Sequence, residues 1–302
     1  MTKAFSHQRA IVYALLAFIF WTGMDCFTKL VGQDKLPVSQ IIVISSFFCF
    51  TVISVVATIR GRARALVPQR WKIELGRSVM MTVMAFAGVI AFTRMPFTTV
   101  YTMLFTGPMI VAVLSVIILR ESLSGRQSLA VLAGFGGVIF ALRPDQAGFS
   151  SDDVLGWIAL ILLPVLGASN IVFVRFLRHT ETNESLAFIP QFVRVILVLP
   201  LCLWQFQPLT FLQLGYLAAI GFMSAIGLLL MMQALRHAPA PLVWSFQYSQ
   251  LVTGGVVGYL IWDELPSHDL ILGSAVIIAS GLYLTHLARR NAMIQRVPAR
   301  TV

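Results

Sequence analysis

Apolar stretches of about 20 residues recur along the whole chain, with short polar segments between them. Each stretch is long enough to cross a bilayer, where only helices and closed barrels satisfy their own backbone hydrogen bonds. Barrel strands would alternate polar and apolar residues over about ten positions, and these stretches do not alternate. We therefore predict an all-α integral membrane protein with ten transmembrane helices. The predicted spans are 11–31, 38–59, 78–96, 98–119, 127–143, 154–175, 186–204, 210–235, 240–262 and 269–287.

The composition excludes an ordinary soluble domain. Hydrophobic residues make up 58% of the chain and charged residues 11%, whereas soluble domains carry about 25% charged residues. The first span contains Trp21 and Asp25 and precedes no small-residue cleavage site, so we expect no cleaved signal peptide. The cysteines at 26, 49 and 202 lie in apolar spans without CxxC spacing, which predicts buried thiols rather than disulfides or metal ligands.

The positive charges are unevenly divided between the two sides of the predicted membrane. Of the 22 Lys and Arg residues, seventeen fall in the terminal tails and in the loops after even-numbered spans, and four fall on the opposite side. Positively charged loops stay in the cytoplasm, so both termini are predicted to be cytoplasmic. The net charge of +10 thus reflects topology and does not indicate a nucleic-acid partner. The cations between Arg60 and Arg77 could instead bind acidic lipid or a partner.

Two segments of the chain, Phe92–Val138 and Leu235–Gly281, match weakly at an offset of 143 positions. In each segment a proline opens an apolar span, an aromatic residue follows it by five positions (Tyr101 and Trp244), and an acidic residue closes the span. Identical pairs at informative positions include Pro96 and Pro239, Glu121 and Glu264, Ser124 and Ser267, and Leu129 and Leu272. Repeats of this kind define architecture, although chance similarity between two apolar hairpins is the alternative.

Ten spans divide into two groups of five, which are residues 1–150 and 151–302. Because five is an odd number, halves with the same fold would enter the membrane from opposite sides. We therefore predict an inverted repeat with a pseudo-two-fold axis in the membrane plane, which would place Glu121 on the inner side and Glu264 on the outer side.

The repeated segments resemble a known family at two motifs, ILRESLSGRQSLAVLAGFGGVI and LIWDELPSHDLILGSAVIIASG. They are similar to the EamA family of the drug/metabolite transporter superfamily, in which an acidic residue, a short turn and a Gly-containing helix follow the fourth and ninth helices. The first helix and the connection between helices 6 and 7 also resemble the family, at FWTGMDCFTKLVGQDKLP and VRFLRHTETNESLAF. The first motif departs from the pattern, since Ala130 stands where the second motif has Gly273.

The resemblance implies a basket of ten helices. Helices 1–4 and 6–9 would surround a central cavity, and helices 5 and 10 would lie outside it. Similar family members move amino acids, nucleotide-like metabolites, vitamins or toxic organic compounds, often outward. The resemblance also implies a bacterial inner-membrane location. One chain can form the basket alone, so we expect a monomer.

Ionisable residues inside a membrane are costly and are therefore candidates for function. Arg194 lies near the middle of span 7, where it could hold a substrate carboxylate or phosphate, or form a structural pair with Asp25 or a backbone carbonyl. Asp25 could bind a substrate ammonium, accept a coupling proton, or pair with Lys29 at the i,i+4 spacing. We expect the Asp25–Lys29 pair and a Lys29 side chain that reaches the outer interface.

Glu121 and Glu264 lie at the ends of spans, where we expect them to bind backbone donors and neighbouring cations. A gating salt bridge is the alternative. Pro108 interrupts a predicted span and is a candidate hinge, although transmembrane prolines are common without that role.

Span 9 carries an unusual set of polar and aromatic residues, Trp244, Gln247 and Tyr248, and Tyr101 is the counterpart in span 4. In a continuous helix Trp244 and Tyr248 would share a face, which could stack a planar solute. An aromatic belt at the membrane interface is the alternative. Asn170 and Gln191 are further candidates for a cavity lining.

Several signatures are missing from the sequence. It has no GxxxxGK[ST] phosphate loop and no HExxH motif, and all five His lie near predicted loops or termini. We therefore expect no ATP hydrolysis, no metal or cofactor, and no histidine proton relay. Asp25 is the leading carboxylate if transport is coupled to protons, and otherwise the protein is a facilitator.

These features predict a secondary transporter rather than an enzyme. We expect alternating-access export of small metabolites, with amino acids, and aromatic ones first, as substrates. One alternative is import of a cofactor-like metabolite such as S-adenosylmethionine or a vitamin. A membrane enzyme acting on lipid is a further alternative, but it would need a cluster of catalytic residues at one depth.

Overall fold

The computed structural model describes residues 2–119, 124–142, 153–177, 180–237, 243, 245–265 and 267–294, which are helical apart from short turns. The α-helices are α1 (Thr2–Gln33), α2 (Val38–Ile59), α3 (Trp71–Arg94), α4 (Phe97–Leu104), α5 (Gly107–Leu119), α6 (Gly125–Leu142), α7 (Val154–Leu177), α8 (Asn183–Trp204), α9 (Phe211–His237), α10 (Ser249–Trp262) and α11 (His268–Ile294). Short 3₁₀ helices span Ala63–Leu66 and Ser245–Tyr248.

The prediction of an all-helical membrane protein is confirmed. Seven helical stretches in the described part of the chain are long and apolar enough to cross a bilayer, and two shorter apolar helices lie at Gly125–Ala141 and His268–Tyr283. Large apolar side chains are exposed around the bundle, including Ile117 at 68% and Phe211 at 93%. Many polar side chains are buried instead, as expected for a bundle with lipid as its solvent.

The fourth span is broken, whereas the sequence predicted one helix over 98–119. Helix α4 ends at Leu104, Phe105 and Thr106 form a turn, and α5 begins at Gly107. Proline has no N–H group to donate to the carbonyl four residues earlier, so a helix that continued through Pro108 would lose a hydrogen bond. The break instead places Pro108 in the first turn of α5, where that N–H group is not needed.

Span 9 changes helix type, whereas the sequence predicted one α-helix over 240–262. The 3₁₀ helix at Ser245–Tyr248 leads directly into α10. Phe105 in the turn of span 4 and Tyr248 at the end of this 3₁₀ helix are 143 positions apart, and their ring centroids lie 5.5 Å from each other. The turn in span 4 and the change of helix type in span 9 therefore fall at matching positions of the two similar segments.

Long helices pack against partners from the other half of the chain. The main contacts join α1 and α2 with α9, α3 with α7 and α8, α2 with α8, and α6 with α11, and a smaller contact joins α4 with α10. Helices α6 and α11 approach closely at Gly137 and Gly273, where a Cβ atom on Gly273 would lie 2.6 Å from the Gly137 carbonyl oxygen. Small residues permit this approach, so these two glycines serve helix packing.

Candidate functional site

Two polar layers lie at opposite ends of the bundle. Following the predicted orientation, we call the end with Lys29 and Glu264 the outer end and the end with Glu74 and Arg77 the inner end. Asp25 and Arg194 lie between the two layers. At a rise of about 1.5 Å per residue, Asp25 is about 12 Å from the outer end of α1, and Arg194 is about 15 Å from the outer end of α8.

Asp25 is buried and is bound by a neutral partner. The Tyr101 hydroxyl donates to its Oδ2 atom over 2.8 Å, and the two residues are 7% and 0% exposed. Tyr101 reaches across α10 at Gly254, where a Cβ atom would collide with its ring. One turn before Asp25, the hydroxyls of Thr22 and Thr253 are 3.1 Å apart. Asp25 thus lies where α1, α4 and α10 meet.

The predicted pairs of Asp25 with Lys29 or Arg194 are not formed among the described residues. Lys29 instead crosses to Glu264 at the end of span 9, which draws its ammonium away from Asp25. Its side chain is buried inside the bundle at this outer end. The i,i+4 spacing suits an ion pair, but here a carboxylate from another helix competes for the same ammonium.

Arg194 is held by neutral acceptors from three helices. It donates to Gln191 Oε1 over 2.8 Å, to Ser46 Oγ over 3.3 Å and to the Met81 carbonyl over 3.1 Å. Its Nε atom is buried and has no hydrogen-bond partner in the described part of the chain. No carboxylate in that part pairs with it. The guanidinium is therefore a positive charge in the membrane interior, and no described residue provides a negative charge that pairs with it.

Glu264 links the two halves at the outer end. Its carboxylate pairs with Lys29, and its Oε2 atom accepts a hydrogen bond of 2.7 Å from the Phe97 backbone nitrogen at the start of α4. Asp263 adopts a left-handed backbone with φ of 55°, and the Glu264 nitrogen donates to the Gly258 carbonyl over 3.1 Å. This helix-ending turn directs the Glu264 side chain back toward the bundle.

The aromatic residues predicted for span 9 are only partly brought to the site. Gln247 and Tyr248 lie on the 3₁₀ helix, and Trp244 lies outside the described residues. The predicted shared face of Trp244 and Tyr248 therefore includes a residue outside the part of the chain that the structure describes. The Tyr248 ring packs on Phe105, and its hydroxyl abuts Gly281 of α11 rather than the region of Asp25.

The inner end contains a buried network that the sequence analysis missed. Arg77 donates to both carboxylate oxygens of Glu74, at 3.0 and 2.6 Å, to Asn170 Oδ1 over 2.8 Å and to the Leu186 carbonyl over 2.6 Å. Glu74 and Arg77 are 0% and 2% exposed. The predicted span 3 begins at residue 78 and leaves both residues out, whereas α3 begins at Trp71. Their i,i+3 spacing was the available signal.

The remaining candidates lie elsewhere. Gln191 supports Arg194, Asn170 belongs to the inner network, and Glu121 lies outside the described residues. A recess at the inner end, lined by residues that include Arg60 and Gln233, holds about 20 Å³. That volume accommodates about one water molecule, so this recess is not a metabolite site.

Comparison with known proteins identifies the family to which this chain belongs. The EamA-like transporter family matches the chain twice, at residues 8–143 and 154–286. The S-adenosylmethionine uptake transporter of Rickettsia prowazekii is 21% identical over 95% of each chain. The pseudopaline exporter CntI of Pseudomonas aeruginosa is 24% identical over 92% of this chain and 96% of its own.

A riboflavin transporter of Brucella anthropi is 24% identical over 87% of this chain and 94% of its own length. A solved crystal structure of a protein at 18% identity superposes with a TM-score of 0.66 over 94% of this chain and 99% of the other, which supports the fold alone. The relatives are all named for transport, and the family matches span nearly all of both halves. The chain therefore belongs to the EamA-like transporter family.

Proposed function

We propose that this protein is a secondary transporter that moves a small, carboxylate-bearing metabolite by alternating access. The observation that carries the proposal is Arg194, a buried cation near the middle of the bundle that is bound by Ser46, Gln191 and a backbone carbonyl. An uncompensated charge in a membrane interior is costly and is typical of a ligand or ion pathway. Arginine presents a planar fork of donors that matches a carboxylate, and the buried Nε atom of this fork has no hydrogen-bond partner among the described residues.

The second part of the proposal is that residues 1–150 and 151–302 are inverted repeats that move against each other. The packing supports it. If each helix is replaced by its counterpart in the other half, the α1–α9 contact becomes the α7–α3 contact. The α2–α8 and α6–α11 contacts each join helices at equivalent positions of the two halves. The two family matches and the matching helix irregularities at Phe105 and Tyr248 agree with this symmetry. Broken helices at the repeat interface are typical of transporter binding sites.

Uptake of S-adenosylmethionine is our first candidate for the transported compound. Rickettsia relatives named for it match over nearly the full chain, and the carboxylate of that compound would suit Arg194. Export of amino acids, aromatic ones first, is the second candidate. Tyr101 beside Asp25 favours it, but Tyr248 packs toward α11, so the aromatic lining is smaller than the sequence predicted. A vitamin substrate is a further alternative, given the riboflavin transporters among the relatives.

Asp25 has a separate role in the proposal, as the group that binds a substrate ammonium or a coupling proton. Its one described hydrogen-bond partner is Tyr101, which leaves one carboxylate oxygen for a cation or proton. We place the protein in the bacterial inner membrane as a monomer with both termini in the cytoplasm, in agreement with the distribution of Lys and Arg.

The test is flux of labelled S-adenosylmethionine and of labelled phenylalanine into and out of liposomes that contain the purified protein, with and without a pH gradient. We expect saturable flux of one of them, and a loss of at least tenfold in Arg194→Met. Hydrogen bonds to charged groups contribute about 1.5–3 kcal/mol, and about 1.4 kcal/mol corresponds to tenfold. Arg64→Met removes an exposed arginine and serves as the matched control. Wild-type flux in Arg194→Met would remove Arg194 from the substrate site.

The pH gradient tests Asp25. If Asp25 couples transport to protons, gradient-driven accumulation is lost in Asp25→Asn while exchange of substrate across the membrane persists. Flux that ignores the gradient would instead indicate a facilitator.

Gly254→Ala should reduce gradient-driven accumulation less strongly, because the new methyl group displaces Tyr101. Gly255→Ala has open space at its Cβ position and should behave as wild type.

A further inference from the structure

The Lys29 ammonium lies against aromatic rings as well as against a carboxylate. Its Nζ atom is 4.7 Å from the centre of the Trp262 ring and 5.8 Å from that of Phe97. These two rings are stacked, with centroids 5.4 Å apart. Glu264 pairs with the same ammonium, and the Met95 carbonyl accepts from it over 3.4 Å. We call Trp262, Phe97 and Glu264 the cation cage.

The cation cage is assembled from both halves of the chain and is held in place. Glu264 is fixed by its hydrogen bond from the Phe97 nitrogen and by the turn at Asp263. Phe97 is fully buried. The Lys29 and Glu264 side chains are 10% and 19% exposed, and Leu265, which follows, is 75% exposed. The cage is thus preformed and lies just beneath the outer surface.

Lysine is not the cation that such a cage binds best. An ammonium on a flexible chain is compact and strongly hydrated, so it gives up much hydration when it contacts aromatic faces. Weakly hydrated organic cations, such as sulfonium and quaternary ammonium groups, bind aromatic cages well. The Met95 contact is also long for a hydrogen bond, so the cage supplies Lys29 with one strong polar partner.

We propose that the cation cage is a binding site at the outer end for an organic cation of the sulfonium or quaternary ammonium class, and that Lys29 occupies it as a tethered competitor. Entry of such a cation displaces Lys29 from Glu264 and so releases α1 of the first half from the end of α10. As a site for the cationic group of the transported compound, the cage rests on the proposed function. As a site for organic cations in general, it does not.

The first experiment uses the wild-type protein in detergent, with trimethylsulfonium as the probe. An amine-reactive ester labels lysines, and mass spectrometry measures the extent at each position. We expect labelling of Lys29 to rise at least fivefold with saturating trimethylsulfonium, and labelling of exposed Lys72 to stay constant. Dimethyl sulfoxide, a neutral compound of similar size, should have no effect. Unchanged Lys29 labelling would overturn the proposal.

The second experiment measures trimethylsulfonium binding by calorimetry in variants whose fold is checked by gel filtration. Lys29→Met removes the competitor and should bind the probe at least tenfold more tightly than the wild type, while Lys72→Met should match the wild type. Adding Trp262→Leu to Lys29→Met should reverse the gain. Equal affinity in Lys29→Met and wild type, or a gain that survives loss of Trp262, would contradict the cage.

Both measurements are made without a membrane gradient and without transport. Probe binding with no flux in liposomes would sustain the cage and reject the proposed function. Flux in liposomes without any displacement of Lys29 by the probe would support the proposed function and reject the cation cage.

Discussion

The inner and outer ends of the bundle are each closed by an acid and a base, but the two closures are built differently. At the inner end Glu74 and Arg77 are 0% and 2% exposed, and they stand one turn apart on one helix. At the outer end Lys29 and Glu264 come from different halves and are 10% and 19% exposed. The inner pair is a preassembled unit that holds neighbouring helices, whereas the outer pair itself joins the halves.

The number of satisfied hydrogen bonds widens the difference. Every nitrogen of the Arg77 guanidinium has an acceptor, and two of those acceptors, Asn170 and the Leu186 carbonyl, belong to α7 and α8. Nearby, Glu181 accepts from the backbone nitrogens of Gln69 and Arg70, which attaches the loop before α3 to the start of α8. Opening the inner end would break several buried hydrogen bonds at once. We therefore expect the free-energy cost of opening to be smaller at the outer end than at the inner end.

The largest effect is expected from Arg77→Met, because it leaves the fully buried Glu74 carboxylate without its partner. We expect a loss of about 3–5 kcal/mol in the free energy of unfolding, measured by denaturation in detergent. The double variant Glu74→Gln/Arg77→Met should recover part of the loss, since no buried charge then remains unpaired. A loss no larger than that of Arg64→Met would show that the inner network does not hold the fold.

An intermediate effect is expected at the outer end from Glu264→Gln. Glutamine can still accept from the Phe97 nitrogen, but the attraction to Lys29 is lost and that pair is partly exposed. The same denaturation assay should show a loss of about 1–2 kcal/mol, near the low end for a charged hydrogen bond. A loss equal to that of Arg77→Met would erase the contrast between the two ends.

The smallest effects are expected from the exposed pairs, one at each end. Arg62 pairs with Glu184 at the inner end, and Arg94 pairs with Asp153 at the outer end, both at 2.7 Å. The two arginine side chains are 53% and 46% exposed. Arg62→Ala and Arg94→Ala should each cost less than about 1 kcal/mol and converge on the wild type at high salt. Unequal losses of unfolding free energy in the two variants would mean that the exposed ion pairs at the two ends also differ in strength.

The overall fold could be predicted from the sequence because the signals are local. A run of apolar residues indicates a membrane span whatever lies beside it, and the positions of Lys and Arg predict the orientation. The repeat and the acidic turn motifs pointed to the family that the comparison later matched. Even so, local apolarity misplaced the start of α3, because Glu74 and Arg77 neutralise each other and continue the helix beyond the apolar run.

The sequence by itself determined an all-helical membrane protein of the EamA-like family and named Asp25, Lys29, Arg194 and Glu264 as the charges of interest. Only the tertiary structure decided their partners. Lys29 and Glu264 are 235 positions apart, and Asp25 and Tyr101 are 76 apart. A charge in lipid binds whichever partner the folded bundle brings within about 3 Å, and that choice depends on helix packing and backbone breaks. No pattern of neighbouring residues encodes it.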